Sequence, residues 1–153
     1  MNKIKIIDPT DARKLIAELD AYLNERYPAE SNHLDSIDEL KKPHVTMFGC
    51  SKMKDIIAMG AVKIMQGYGE IKRVYVPPEH RGKKLSKLIM AAIEAHLVQS
   101  KIPFARLETG INQPEALSLY KKLGYMEREP FGDYKHDPYS VFMEKELRLK
   151  PEF

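Results

Sequence analysis

A short basic segment, residues 81–86 (RGKKLS), precedes a run with the apolar spacing of an amphipathic helix. The first turn of a helix carries free backbone N–H groups and the positive end of the helix dipole. Gly82 lets the backbone approach a ligand closely, and Arg81, Lys83 and Lys84 add positive charge at the same place. This pattern favours an anion site that would suit a pyrophosphate, although such a segment taken alone is more often a solvated basic turn.

Other familiar catalytic and metal-binding patterns are missing from the sequence. No G-x-S-x-G or G-x-x-x-x-G-K-[ST] segment occurs. Cys50 lies in an apolar, strand-like run without a base beside it, which is typical of a small buried residue. The histidines have no H-x-x-x-H or similar spacing to one another, so no metal site is expected. They are His33, His44, His80, His96 and His136.

The apolar patterns around the basic segment predict a mixed α/β layer fold. Asp8 and Pro9 are typical of a helix start, and Gly124 fits the left-handed position that ends a helix. Asn112 is predicted to cap the helix that begins near Pro114. The predicted strands are residues 3–7, 45–50, 56–65, 70–76, 104–109, 125–128 and 141–147, and the predicted helices are 9–27, 31–40, 85–100 and 114–123.

Composition limits the classes of protein to which the chain can belong. The 153 residues, 43% hydrophobic and 31% charged, suit one globular domain. The net charge of +3 is spread along the chain, so nucleic acid is not an expected partner and an anionic small ligand is favoured. A single cysteine favours a cytoplasmic location, and no apolar run is long enough for a signal peptide or a membrane span.

Two stretches in the right order resemble the GNAT superfamily of N-acetyltransferases. They are VPPEHRGKKLSKLIM at residues 76–90 and NQPEALSLYKKLGY at residues 112–125. The resemblance covers nearly the whole chain and implies one domain over residues 1–153. It implies a central, mostly antiparallel sheet of six to seven strands with a splayed parallel pair, flanked by about four helices. The implied reaction moves acetyl from acetyl-CoA to a primary amine of a small molecule or peptide, without a metal.

The resemblance also assigns residues to the acetyl-CoA site. The pantetheine arm is expected along the strand of Val74, Tyr75 and Val76, and the pyrophosphate at the loop. The family's loop has small residues where Lys84 and Ser86 stand here. The implied contacts are Val74, Tyr75, Val76, Arg81, Gly82, Lys83, Lys84, Leu85, Ser86, Asn112 and Ala116. Asn112 is expected to serve both as a helix cap and as a cofactor contact.

Catalytic roles follow from the same resemblance and from acid–base chemistry. An alkylamine with a pKa of about 10.4 is mostly protonated at neutral pH and needs a base before it attacks. Glu70 stands where some members, including histone acetyltransferases, hold the catalytic glutamate, although a solvated strand-end carboxylate is an equal interpretation. Tyr120 matches the tyrosine that protonates the leaving thiolate in many relatives, the alternative being a core aromatic.

The acceptor amine is expected between the first helices and the loop before the last strand. The predicted contacts are Tyr27, Glu30, Asp133 and Tyr134. Dimers are frequent in this superfamily, so a homodimer stays open. Two other functions also stay open: a non-catalytic acyl-CoA sensor on the same fold, suggested by the substituted loop, and a nucleic-acid accessory protein, suggested only by the pI near 8.8.

Overall fold

The computed structural model describes residues 3–148, so residues 1–2 and 149–153 of the predicted domain lie outside the described residues. Within this range the chain forms seven strands and four α-helices. The strands are β1 (Ile4–Ile6), β2 (Val45–Lys52), β3 (Asp55–Ile64), β4 (Gly69–Tyr75), β5 (Phe104–Gly110), β6 (Met126–Arg128) and β7 (Ser140–Glu146). The helices are α1 (Arg13–Arg26), α2 (Ile37–Leu40), α3 (Leu85–Gln99) and α4 (Pro114–Lys122).

All seven strands belong to one sheet in the order β1-β2-β3-β4-β5-β7-β6. Five of the six pairings are antiparallel, and β4 with β5 is the parallel pair. The predicted fold class is therefore confirmed, including the mostly antiparallel sheet and the number of helices. Among residues 3–148, no helix combines the length and apolar character that a membrane crossing requires.

The parallel pair is short. β4 and β5 are paired only from Gly69↔Ala105 to Ile71↔Leu107. Beyond this point β5 continues its pairing with β7, whereas β4 continues only beside β3. The C-terminal half of β4 therefore presents a free edge on the side that faces away from β3.

Apolar side chains on both faces of the sheet hold these strands in place. On one face, α3 packs against β2, β3 and β4 and buries Ile89, Ile93 and Leu97 completely. On the other, α1 contributes Leu15 and Leu19 to a second cluster. Burying each such side chain contributes about 1.5–3 kcal/mol to stability. Packing on both faces therefore stabilises the sheet, including the strands β4 and β5 that separate from each other.

Two local predictions are wrong. Residues 31–40 do not form one helix, because Arg73 Nη2 donates to the carbonyl of Asp35 at 2.7 Å and α2 begins only after Ser36, whose side chain accepts from the Glu39 N–H. Asn112 is not the cap of α4. The cap position is held by Gln113, without a side-chain capping bond.

The other helix ends agree with the sequence prediction. The Asp8 side chain accepts from the N–H of Thr10 at 2.8 Å, and Pro9 follows it at the start of a 3₁₀ turn that leads into α1. Gly124 adopts a φ of 98° after α4, as a left-handed helix end requires. Cys50 is fully buried in β2, which confirms its predicted structural role.

Candidate active site

Two cavities open beside β4. One, the basic cavity, has a volume of about 320 Å³ and contains Arg81, Lys84 and Lys87 in its wall. The other, the carboxylate cavity, has a volume of about 100 Å³ and contains Asp35, Glu70 and Glu108. The two cavities meet, since both are lined by Leu19, Val74, Gln113 and Tyr120.

The basic cavity lies at the N-terminus of α3, as the sequence predicted for its anion site. The free N–H groups of the first turn and the helix dipole favour an anion here. Arg81 is positioned by its own loop, because its Nε donates to the Val76 carbonyl at 2.9 Å. Nine of the predicted cofactor residues line this cavity: Val74, Tyr75, Val76, Arg81, Gly82, Lys84, Leu85, Ser86 and Ala116.

Lys84 adopts a backbone conformation that explains the family preference for glycine at this position. Its φ of 62° and ψ of 23° lie in the left-handed region, immediately before α3. A side chain in this region costs about 1–2 kcal/mol, which glycine avoids. The loop therefore keeps its shape with lysine, at the cost of strain, and gains a cation in the cavity wall.

Val74, Tyr75 and Val76 line the basic cavity along the free edge of β4. The Tyr75 side chain packs with the α1 cluster, and its hydroxyl donates to Glu18 at 3.3 Å. Its backbone is thus the part available to an extended ligand, which can pair with β4 like an added strand.

Two of the predicted cofactor residues lie elsewhere. Lys83 is exposed and does not line the basic cavity. Asn112 is also exposed, and its backbone N–H donates to the Tyr27 hydroxyl at 3.0 Å. Gln113 takes the place beside both cavities that the sequence assigned to Asn112. Nothing in the sequence distinguishes these neighbouring amides.

Glu70 is buried in the wall of the carboxylate cavity, so it is not a solvated strand-end carboxylate. Its Oε2 accepts a hydrogen bond from the Tyr134 hydroxyl at 2.5 Å and lies 3.5 Å from Lys72 Nζ. Lys72 also pairs with Asp35 at 2.9 Å. Burial lowers the pKa of Lys72, but the charges of Glu70 and Asp35 outweigh this and raise it, so Lys72 stays protonated.

A bulge in β4 brings Lys72 and Arg73 to this cavity. Between the pairs Ala61↔Lys72 and Met59↔Tyr75, β4 contains one more residue than β3. Arg73 occupies the bulge with a φ of 59° and is held by Asp20 at 2.6 Å and by the Asp35 carbonyl. The ion pair neutralises the buried guanidinium and Nη2 is hydrogen-bonded, but Nε and Nη1 have no hydrogen-bond partner among residues 3–148. These contacts stabilise a backbone conformation that would otherwise be strained.

Glu108 is a carboxylate of this cavity that sequence reasoning missed. It lies on β5, lines the carboxylate cavity and accepts from Ser140 Oγ at 2.7 Å. Burial raises the pKa of this carboxyl. The available signal was the single acidic residue of the strand FARLETG, which also contains Arg106 and Thr109.

Tyr120 lies where the two cavities meet. Its ring is buried against Tyr125, and within residues 3–148 its hydroxyl has no hydrogen-bond partner. Burial strongly raises the pKa of this phenol, so the group carries its proton at all physiological pH values. A protonated, unengaged hydroxyl at the junction is available as a donor to a ligand.

The predicted acceptor residues divide into two pairs. Tyr27 and Tyr134 line the carboxylate cavity, whereas Glu30 and Asp133 are exposed and do not. Two chain segments form the outer wall, residues 29–36 and 129–140, and they are joined by a bond from Ser31 Oγ to Asp137 at 2.8 Å. Within the described part of the chain, no group of three or more His, Cys, Asp and Glu side chains is placed to hold a metal ion.

Comparison with known proteins agrees with this geometry. The model of the acetyltransferase (GNAT) family matches residues 13–125, which include α1, α4, the lining of the basic cavity and all of the carboxylate cavity's lining except Tyr134 and Tyr139. The chain belongs to the GNAT family. It is thus an acyl-CoA-dependent acetyltransferase, as the two sequence motifs indicated.

Individual relatives of this GNAT acetyltransferase cover almost its full length. An IAA acetyltransferase from Azospirillum brasilense is 40% identical over 136 residues, 88% of this chain and 89% of the relative. A crystal structure from Klebsiella pneumoniae, named as an acyl-CoA N-acyltransferase, is 36% identical with a TM-score of 0.81 and covers 97% and 99% of the two chains. PaiA N-acetyltransferase from Thermoplasma acidophilum, in complex with coenzyme A, shares the fold at 19% identity, a TM-score of 0.76 and coverage of 96% and 99%.

We predict that Lys84→Gly preserves or improves coenzyme A binding by this GNAT acetyltransferase and raises its stability by up to about 1 kcal/mol. Relief of about 1–2 kcal/mol of left-handed strain exceeds the smaller entropic cost of glycine in the unfolded chain. Calorimetric titration with coenzyme A and thermal unfolding measure the two effects.

Lys83→Gly is the matched control, because it removes the same charge from a residue without positive φ that does not line the basic cavity. Lys83→Gly is expected to lower the free energy of unfolding slightly and to leave the affinity for coenzyme A within about threefold of the wild-type value. A loss of more than tenfold in affinity for Lys84→Gly alone would show that the lysine charge itself binds the phosphates.

Proposed function

We propose that this protein is an N-acetyltransferase that transfers the acetyl group of acetyl-CoA to a primary amine of a small molecule or peptide. The observation that carries the proposal is the junction of a basic cavity with a carboxylate cavity at Tyr120 and Val74. An anionic donor and a cationic acceptor are thereby attracted to opposite sides of one point. The single cysteine further supports a cytoplasmic location.

The residues of the basic cavity fit the donor. Arg81, the backbone N–H groups around Lys84 and the first turn of α3 would bind the pyrophosphate, and the free edge of β4 would pair with the amide groups of the pantetheine arm. The PaiA relative is known with coenzyme A bound, and it shares this fold. The thioester would then enter the junction, and the larger cavity volume of about 320 Å³ suits the larger ligand.

Acetyl transfer requires the removal of a proton from the amine and the addition of a proton to the leaving thiolate. The neutral amine nitrogen attacks the thioester carbon, a C–N bond forms, the C–S bond breaks, and the amine loses a proton. Glu70 is proposed as the base that receives it, directly or through water. Its Oε2 is engaged by Tyr134 and Lys72, whereas its Oε1 has no hydrogen-bond partner among residues 3–148 and is free to accept.

Tyr120 is proposed to give a proton to the leaving thiolate. Its hydroxyl is protonated and unengaged at the junction. The raised pKa of the phenol makes it a weaker acid, but the same low-polarity surroundings raise the pKa of a thiol from its usual value of about 8.5. The two groups therefore stay close enough in acidity for proton transfer within the site.

The proposal predicts release of coenzyme A that depends strictly on an added amine. The purified protein is incubated with acetyl-CoA and a panel of amines, and free thiol and acetylated product are both measured. Equal amounts of thiol and amide, without a burst, are expected for direct attack. Tight coenzyme A binding with no turnover on any amine would instead favour the non-catalytic sensor, and absence of binding would reject both.

Glu70→Gln is predicted to lower kcat/KM by about 10²-fold or more at pH 7, and by progressively less toward pH 9.5, since general base catalysis contributes about 10²–10⁴-fold. The deficit shrinks because the neutral fraction of an amine with a pKa of about 10.4 rises about tenfold per pH unit. Pre-steady-state and steady-state rates across this range provide the test.

Glu25→Gln, whose side chain is 79% exposed on α1, is the control. A ratio of wild-type to variant rate that is constant with pH would assign the base elsewhere.

Tyr120→Phe is predicted to reduce kcat by about 10²-fold or more while coenzyme A affinity changes less than threefold, because only the proton donor is lost. Turnover assays and calorimetric titration separate the two quantities. The control Tyr68→Phe removes a hydroxyl from a buried tyrosine that lines neither of the two cavities. It should leave both kcat and the affinity for coenzyme A unchanged. A collapse of coenzyme A affinity in Tyr120→Phe would make the ring a structural element instead.

A further inference from the structure

The carboxylate cavity has an excess of negative charge. Its wall contains Asp35, Glu70 and Glu108, against the cations Lys72 and Arg73. Both cations are already neutralised by protein groups. Lys72 lies between Asp35 and Glu70, and Arg73 is paired with Asp20 outside the cavity wall. No Lys or Arg of the wall is therefore left to receive an anionic group of the substrate.

Glu108 is the carboxylate of this wall that lacks a cationic partner. Within the described range, it forms no ion pair with Lys or Arg, and its bond is the one from the neutral Ser140 hydroxyl at 2.7 Å. The neighbouring carboxylates of Glu70 and Asp137 repel its charge, and His33 is the group that opposes them. A partly buried carboxylate in this situation gains most from a cation brought by the ligand.

Aromatic side chains complete the cavity in a way that suits the same ligand. Tyr27, Tyr134 and Tyr139 line the wall together with Glu108. Tyr27 and Tyr139 pack edge to face with ring centroids 6.1 Å apart, and His33 packs on Tyr134 at 4.8 Å. Faces of tyrosine rings attract an ammonium group and repel an anion.

We propose that the acceptor is an amine without a carboxylate group near its nitrogen, and that Glu108 determines this specificity by binding the ammonium. This inference rests on the proposed function and narrows its substrate class. Alkylamines, arylalkylamines and diamines fit, because each brings positive charge without an accompanying anion. Free α-amino acids do not fit, because their carboxylate would lie among Glu70, Glu108 and Asp35, where the described wall has no unpaired Lys or Arg to meet it.

The test compares acceptors that differ in one group. Tyramine, tyrosinamide and tyrosine form one series, and cadaverine, lysinamide and lysine form a second. The amide has nearly the shape of the carboxylate but no charge, so it separates electrostatic exclusion from lack of space. We expect kcat/KM for the amide to exceed that for the amino acid at least tenfold in the series that is turned over.

Glu108→Gln is the variant that assigns the effect to this residue. It is expected to lower kcat/KM for tyramine or cadaverine at least tenfold, mainly through KM, and to reduce the preference for amide over amino acid to less than about threefold. Glu25→Gln on the exposed surface of α1 is the control. Thermal unfolding of the variants establishes that each is folded, because glutamine keeps the shape and can still accept from Ser140.

Three results would overturn this inference without touching the proposed function. Amino acids used as readily as their amides would remove the electrostatic argument while leaving the proposed function intact. Amides as poor as amino acids, beside active tyramine, would show that space and not charge decides. An unchanged preference in Glu108→Gln would remove this residue from specificity. If the protein binds coenzyme A and acetylates no amine at all, the proposed function fails and the inference fails with it.

Discussion

The separation of two parallel strands is the constraint on which the rest of the site depends. β4 and β5 share only three residue pairs, and the helices on both faces of the sheet prevent them from closing. The backbone groups of Val74 and Tyr75 are left without a neighbouring strand on that side, and unpaired backbone groups in a partly buried position require a partner. An extended ligand with its own amide groups is the natural partner, and the family uses acyl-CoA as its donor.

Charge is distributed unequally along this opening. At one end, a helix N-terminus and three basic side chains attract an anion, and at the other, three carboxylates attract a cation. Tyr120 stands between the two, buried and protonated. Such an arrangement can orient an anionic and a cationic ligand toward the junction of the two cavities before any specific contact forms.

The bulge at Arg73 lies on β4, the strand that both cavities share. It interrupts the pairing of β3 with β4 and turns Lys72 and Arg73 toward Asp35 and Asp20. The ion pairs that result hold residues 32–36 extended, which is why no long helix forms there. The same ion pairs engage Lys72 and Arg73, the lysine and arginine of the carboxylate-cavity wall, so the bulge leaves the negative charge of Glu108 without a Lys or Arg partner among the described residues.

Sequence by itself determined the order of strands and helices, the basic loop before α3, and the two motifs that identify the family, because each depends on residues close together in the chain. It also placed Glu70 and Tyr120 on elements that do reach the cavities. Only the tertiary structure decided that Lys84 takes the left-handed backbone, that Gln113 rather than Asn112 faces the cavities, and that Glu108 lacks a cation. These facts depend on side chains from β4, β5 and the segments at 29–36 and 129–140, whose positions relative to one another no local pattern encodes.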